Sequence, residues 1–267
     1  MSLFPPVGPR ISSSLLLAVA YLMDSLAAAG AAEGGSFRLA SELVRVVAPA
    51  PPVWPSHFHV DFVERTRGMS PLGEWKENLG SLHYDFANKR QLWVHGKGQR
   101  NNWCQCAAID TTEQCELLSW HGGANSSGAM YAIFRTLETP RCCKIGDYAH
   151  GFGPIRPDWL RTSNATLQGT KTVGDRICYE WASFHPGDWF MMVSDNWSLD
   201  AHGVPCMYED RFKTWARWLG LGHTLTFDEK SYSTASEFDT MFTIPADMDC
   251  EQECPNKEGW CKAAKTW

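Results

Sequence analysis

From His57 the chain adopts a period of two: Phe58, Val60 and Phe62 fall on one side, and His59, Asp61 and Val63 on the other. Nothing in the sequence constrains the fold more, because such alternation fits a half-buried strand and is incompatible with a helical stripe. Leu82, Tyr84 and Phe86 repeat it, Asn88-Lys89 can turn, and Gln91-Leu92-Trp93-Val94 can return antiparallel as a hairpin. Similar short segments lie at residues 129–137, 167–173, 177–184, 189–194, 224–227 and 238–244. One stretch in the body has helical spacing, residues 208–219, where Phe212, Trp215, Trp218 and Leu219 recur at three- and four-residue intervals before Gly220. Many short strands punctuated by Gly, Pro, Asn and Asp predict a mainly β fold with minor helix, a curved antiparallel sandwich or half-barrel. No fixed-period repeat points to a propeller or solenoid.

At 267 residues with 44% hydrophobic and only 20% charged side chains, the chain can bury a sizeable core and is not a disordered tail. A net charge of -6 leaves no basic excess to neutralise phosphates, which argues against nucleic-acid binding. Ten cysteines, all after Trp103, point to an oxidising compartment: Cys104, Cys106, Cys115, Cys142, Cys143, Cys178, Cys206, Cys250, Cys254 and Cys261. Spacing does not give their pairing. The N-terminus agrees with export. Arg10 precedes an apolar run from Leu15 to Met23 and then the small residues Ala27 to Ala32, a signal-peptide pattern over residues 1–32, with an uncleaved anchor as the alternative. The mature chain is expected to start between Gly30 and Gly34. Sequons at Asn125, Asn164 and Asn196 would carry glycans if exposed. A Pro-rich leader follows at residues 33–56, read as lying outside the core, with a possible short helix at residues 39–47. Residues 57–250 form the β domain, and residues 251–267 a Cys-containing tail clipped to it.

Few residues announce chemistry. The cysteines do not form the paired two-residue knuckles of a zinc site. His57 and His59 share a strand face and could in principle share a metal, but no third ligand is evident and solvent-facing polar residues are the plainer reading. Asp247, Asp249, Glu251 and Glu253 lack the spacing of an EF-hand loop. Neither a Gly-x-Ser-x-Gly elbow nor a papain-type cysteine signature occurs, so no catalytic residue is assigned and an enzyme is not expected. No metal or cofactor is assigned on these residues. Thirteen tryptophans remain, each able to fill a core or line a site. Trp181 and Trp189 read as core, whereas Trp215 and Trp218 are candidates for a rim or ligand surface.

The order of short motifs between His57 and Cys250 resembles the ependymin-related proteins and the similar domain that precedes the protease in some secreted cysteine proteases. The matching pieces are Tyr84-Asp85 with Asn88, Lys89 and Arg90; Tyr131-x-Ile133; Cys142-Cys143-x-Ile145; and Pro157-Asp158-Trp159-Leu160. They continue with Gly169, Val173-Gly174, Ile177-Cys178-x-x-Trp181, Val204-Pro205 and Phe242-x-Ile244-Pro245-x-x-x-Asp249-Cys250. The resemblance implies two curved antiparallel sheets enclosing a deep apolar pocket, as in bacterial lipoprotein carriers of the LolA kind. It also implies a secreted or lysosomal (vacuolar) glycoprotein that binds a lipid-like molecule without catalysis, with calcium bound in some members. Ten cysteines exceed the usual family set.

Period-two patterning also assigns the faces of such a pocket. Phe58, Val60, Phe62, Leu82, Tyr84 and Phe86 should share an apolar interior with Tyr179 and Trp181, and Phe242 and Ile244 should join them. The same bulky residues could instead make a solid core. The expected partner is a lipid-like small molecule, with a homodimer or an extracellular partner also open. The competing readings are a glycan-binding or structural extracellular protein and, third, a secreted hydrolase.

Overall fold

A computed structural model describes residues 49–67, 74–98, 102–107, 112–121, 128–150, 152–184, 192–218, 221–235 and 239–255. The signal-peptide segment, the helix expected at residues 39–47, Asn125, Trp189 with the start of the strand expected at residues 189–194, and Cys261 lie outside them.

Eleven strands form one open sheet: β1 (His57–Arg67), β2 (Lys76–Asp85), β3 (Arg90–His95), β4 (Cys115–Trp120), β5 (Ala129–Phe134), β6 (Arg141–Asp147), β7 (Thr166–Val173), β8 (Arg176–Phe184), β9 (Met192–Leu199), β10 (Pro205–Phe212) and β11 (Gly222–Ser233). Their order is β6-β5-β4-β3-β2-β1-β11-β10-β9-β8-β7. Each strand therefore pairs with its chain neighbour, and the two meanders join where β1 meets β11. All ladders are antiparallel. The fold is thus mainly β and disulfide-stapled, with one continuous sheet in place of the two layers of a sandwich.

The sheet is strongly bent. Tyr84 on β2 and Trp197 on β9 are four strand spacings apart, about 19 Å along a flat sheet. Yet both rings touch Trp54, at centroid distances of 5.4 and 5.2 Å. The buried face is consequently concave, with Trp54 inside it.

The motifs explain local structure. Asp85 accepts from the Asn88 backbone N–H at 3.2 Å, from Asn88 Nδ2 at 2.7 Å and from Arg90 Nε at 2.7 Å, closing the β2–β3 turn over Lys89, whose φ is 54°. Two adjacent cysteines protect the β6 edge. Lys144 N–H donates to Gln252 C=O at 2.7 Å and Cys254 N–H to Lys144 C=O at 2.9 Å, so the chain after β11 adds a short parallel bridge to the edge strand. Cys142–Cys250 and Cys143–Cys254 leave opposite faces of β6 and clasp that segment from both sides. Cys104–Cys115 and Cys178–Cys206 are also bonded, as is Cys106. These are the bonds of an oxidising compartment.

Four expectations are corrected. The helix expected to be short or irregular within residues 208–219 is Thr214–Trp218 alone, and residues 208–212 belong to β10; Tyr208 and Asp210 are buried there at strand spacing, while Phe212, Trp215 and Trp218 fall at helical intervals. Residues 239–241 form a 3-10 turn in place of a strand. Trp54, in the Pro-rich segment read as lying outside the core, is only 2% exposed. Asn196 sits in mid-β9 at 1% exposure, with its Oδ1 accepting from Ser194 Oγ at 2.6 Å, so the folded protein has no room there for a glycan. Asn164 is exposed in the loop after α1 (Trp159–Thr162). The second helix, Thr214–Trp218, is α2 below.

Candidate ligand trough and its buried charged end

The register of β1 builds the site. Its even residues, Phe58, Val60, Phe62, Glu64 and Thr66, are all buried. Directly opposed residues share a face, so Tyr84, Leu82, Gly80 and Asn78 on β2 continue the row, as do Phe227, Leu225 and His223 on β11. Further out, Trp93 and His95 on β3, Tyr208 and Asp210 on β10, Trp197 on β9 and Trp181 on β8 lie on the same concave face. One half of this trough is aromatic and the other is charged.

At the aromatic half, Trp54 meets Phe58, Tyr84, Trp159 and Trp197 edge to face at 5.2, 5.4, 6.1 and 5.2 Å. Two pieces outside the sheet cover it. The first is residues 51–55, tied by the Trp54 N–H to Pro157 C=O at 2.9 Å and by Arg161 Nε to Pro51 C=O at 3.1 Å. The second is the segment from Ile155 into α1, where the Tyr84 hydroxyl donates to Ile155 C=O at 2.7 Å and Ile155 N–H donates to Gln91 Oε1 at 3.0 Å. Burial pushes the Tyr84 phenol up, with Asp158 adding to the shift.

At the other half, Glu64 is 1% exposed between two imidazoles: His95 Nδ1 lies 2.8 Å from Oε2 and His223 Nε2 lies 3.1 Å from Oε1. His223 Nδ1 reaches Asp210 at 2.7 Å, the Tyr208 hydroxyl donates to Asp210, and it also lies 3.0 Å from Asp195 Oδ1. Five strands, β3, β1, β11, β10 and β9, are stitched by this one chain of contacts. Burial alone would raise the Glu64 pKa, but the two histidines overcome it and hold the carboxyl well below the carboxylate range. Burial would likewise strip the proton from His223; Asp210 and Glu64 outweigh it and push the imidazole up to about 10. The Tyr208 phenol is driven well above its usual value by burial and by Asp195 and Asp210. The result is a fixed buried imidazolium between two carboxylates.

Of the ten residues expected to line one interior, Phe58, Val60, Phe62, Leu82, Tyr84 and Trp181 are buried together, and Phe86 and Tyr179 pack against them half-buried. Phe242 and Ile244 are not brought in. They pack with Leu92, Leu118, Tyr131 and Ile133 on the opposite face of β3–β5, held there by Cys142–Cys250. The charged chain escapes sequence reasoning because Glu64 and His223 are 159 residues apart. The one available signal is that Glu64 keeps the parity of Phe58, Val60 and Phe62. His59 instead stacks on His83 at 4.5 Å on the other face, and burial, with His59 second, lowers the His83 pKa to about 4. Among the described residues, no group of three or more His, Cys, Asp or Glu is arranged to hold a metal ion. Trp215 and Trp218 stand exposed on α2, Trp218 at 79%.

These features define a class: an open, all-antiparallel sheet whose concave face is an aromatic trough closed at one end by a buried ionic chain. No protein-family model and no curated protein matches the sequence. Among solved structures, an uncharacterized conserved protein from Thermus thermophilus is similar at 7% identity, over 72% of this chain and 90% of that one, with a TM-score of 0.39. A LolA superfamily protein from Nitrosomonas europaea is similar at 9% identity over 72% and 92%, with a TM-score of 0.31. A DUF1329 family protein from Desulfovibrio piger gives 9% identity over 70% and 90%, with a TM-score of 0.35. Likenesses this distant carry no functional weight; the trough does.

Proposed function

We propose that this chain is an exported, non-catalytic binding protein that holds an apolar or amphipathic, lipid-like ligand in the aromatic trough. The observation that carries this reading is the roofing of the trough. Its aromatic half is covered by residues 51–55 and by the segment from Ile155 into α1, pieces bonded to each other through Trp54–Pro157 and Arg161–Pro51 and to the sheet through Ile155, not by strand pairing. A ligand that replaced their contacts would bury comparable apolar surface, worth about 25 cal/mol per Å². The ionic chain suits a structural role, since it ties five strands together and both ring nitrogens of His223 are taken by carboxylates. The sequence resemblance to ependymin-related proteins supports the same reading, including secretion or residence in a lysosomal or vacuolar lumen and glycosylation at Asn164. Titration of pure, monodisperse protein with an environment-sensitive apolar dye tests it: saturable uptake is expected, and none would refute it.

A second reading, contact with a glycan or an extracellular partner, is favoured by exposed Trp215 and Trp218. A glycan array in which Trp218→Ala abolishes a wild-type signal would select it.

A further inference from the structure

Buried tyrosine and tryptophan side chains ordinarily find a hydrogen-bond partner, and the tyrosines of this interior do: Tyr84 donates to Ile155 C=O and Tyr208 to Asp210. Three indoles do not. The Nε1–H groups of Trp54, Trp159 and Trp181 are buried with no acceptor among the described residues. Trp54 is 2% and Trp181 4% exposed, so water in the outer shell is no substitute. They come from different elements, residues 51–55, α1 and β8, yet all surround one ring. Trp197 lies 5.2 Å from Trp54 and 5.4 Å from Trp159, and it is the cross-strand partner of Trp181.

We propose that these three indoles form a subsite for the carbonyl oxygens of a neutral acyl ester lipid, a glyceride being the simplest form. The assignment rests on the trough binding a lipid-like ligand and names that ligand's polar part. Indole nitrogen is a donor only, so the ligand must bring acceptors. Neutrality follows from the neighbourhood. Trp197 packs on Tyr208 at 5.0 Å, and Tyr208 leads directly into Asp210 and Asp195, with Glu64 beyond His223. Three carboxylates face two histidines there, so an anionic head group would sit beside an excess of negative charge, whereas an uncharged ester carbonyl brings an acceptor to the indoles without a charge to be repelled. Several carbonyls on one apolar body match several donors around one ring. Entry is over residues 51–55 and α1, which carry two of the three donors and belong to no strand.

Competition against the bound apolar dye tests this with two matched probes, 1,2-dioleoylglycerol and its diether analogue 1,2-di-O-oleylglycerol, which has the same chains and hydroxyl but no carbonyl. The ester should bind at least tenfold tighter, about 1.4 kcal/mol. Trp159→Phe, at a half-buried position, should reduce the ester-over-diether preference, taken as the ratio of the two affinities measured on the same variant, to threefold or less; Trp181→Phe should do the same. In 15N-labelled protein, the indole N–H resonances of these tryptophans should move downfield with the ester and not with the diether. Equal affinity for both lipids, or indole resonances that do not respond to the ester, overturns the subsite and leaves the trough intact. Dye uptake that neither lipid displaces also overturns it. Absence of any saturable uptake, dye included, overturns the trough reading itself.

Discussion

Replacing Glu64 by glutamine keeps the side-chain shape and removes the charge on which two histidines converge. Glu64 is almost wholly buried, with His95 at 2.8 Å and His223 at 3.1 Å. A glutamine amide can accept from His223 and donate to His95 Nδ1 once that ring takes its other tautomer, but it carries no charge to offset the buried imidazolium at a dry site. Breaking a buried ion pair by removing one partner costs about 3–5 kcal/mol. At roughly 2–4 °C per kcal/mol for a domain of this size, the melting temperature should fall by about 6–20 °C. The pH dependence has a definite sign. Glu64 is held below its ordinary 4.5, so its contribution is present above that pH and is lost as acid protonates the folded state. His223 is raised from 6.5 to about 10, so its contribution is full below 6.5 and is lost as pH rises through 10. The stability gap between wild type and Glu64→Gln should therefore be widest from about pH 4.5 to 6.5 and narrow on either side. Urea unfolding followed by tryptophan fluorescence, with disulfides intact, at pH 5.5 and pH 9 reads this directly. A variant within about 0.5 kcal/mol of wild type at pH 5.5, the usual scatter for an inert surface change, or a wider gap at pH 9, would refute the reasoning.

Trp54→Ala should destabilise by about 3–5 kcal/mol in thermal or urea unfolding, as a core aromatic truncation does, where a leader position would show almost nothing. Phe62→Asp should abolish cooperative unfolding, because it places a carboxylate next to Glu64 on the buried face. Serine at both Cys143 and Cys254 leaves Cys142–Cys250 closed, so only the few residues between the two bonds are freed; the cost should stay below the roughly 3 kcal/mol of a 15-residue loop, with new proteolytic cleavage near residues 252–255. In secreted protein, Asn164→Gln should remove one glycan mass in intact-mass analysis, and Asn196→Gln should remove none.

Alternation made β1 and the β2–β3 hairpin legible, and with them the shared face of Phe58, Val60, Phe62, Leu82 and Tyr84. It failed where both faces are covered. Cys115, Glu116, Leu117, Leu118 and Ser119 of β4 are all buried, so no period shows. It failed again on β10, where Asp210 is buried because His223 and Tyr208 satisfy it, a pairing no local pattern reveals. Phe242 and Ile244 have the right apolarity for the trough. The face they cover is decided by a disulfide between residues 108 apart, which sequence spacing does not give. Trp54 was hidden by its prolines: a segment that cannot pair as a strand can still carry one ring into a core.

Native mass spectrometry of the protein purified from cultured cells that express it tests the central claim most directly. A trough that holds a lipid-like ligand predicts a protein peak accompanied by a discrete adduct of lipid mass, released by collisional activation and recovered in the organic extract. A spectrum showing only the bare protein, in every charge state and with an extract free of lipid, would contradict it.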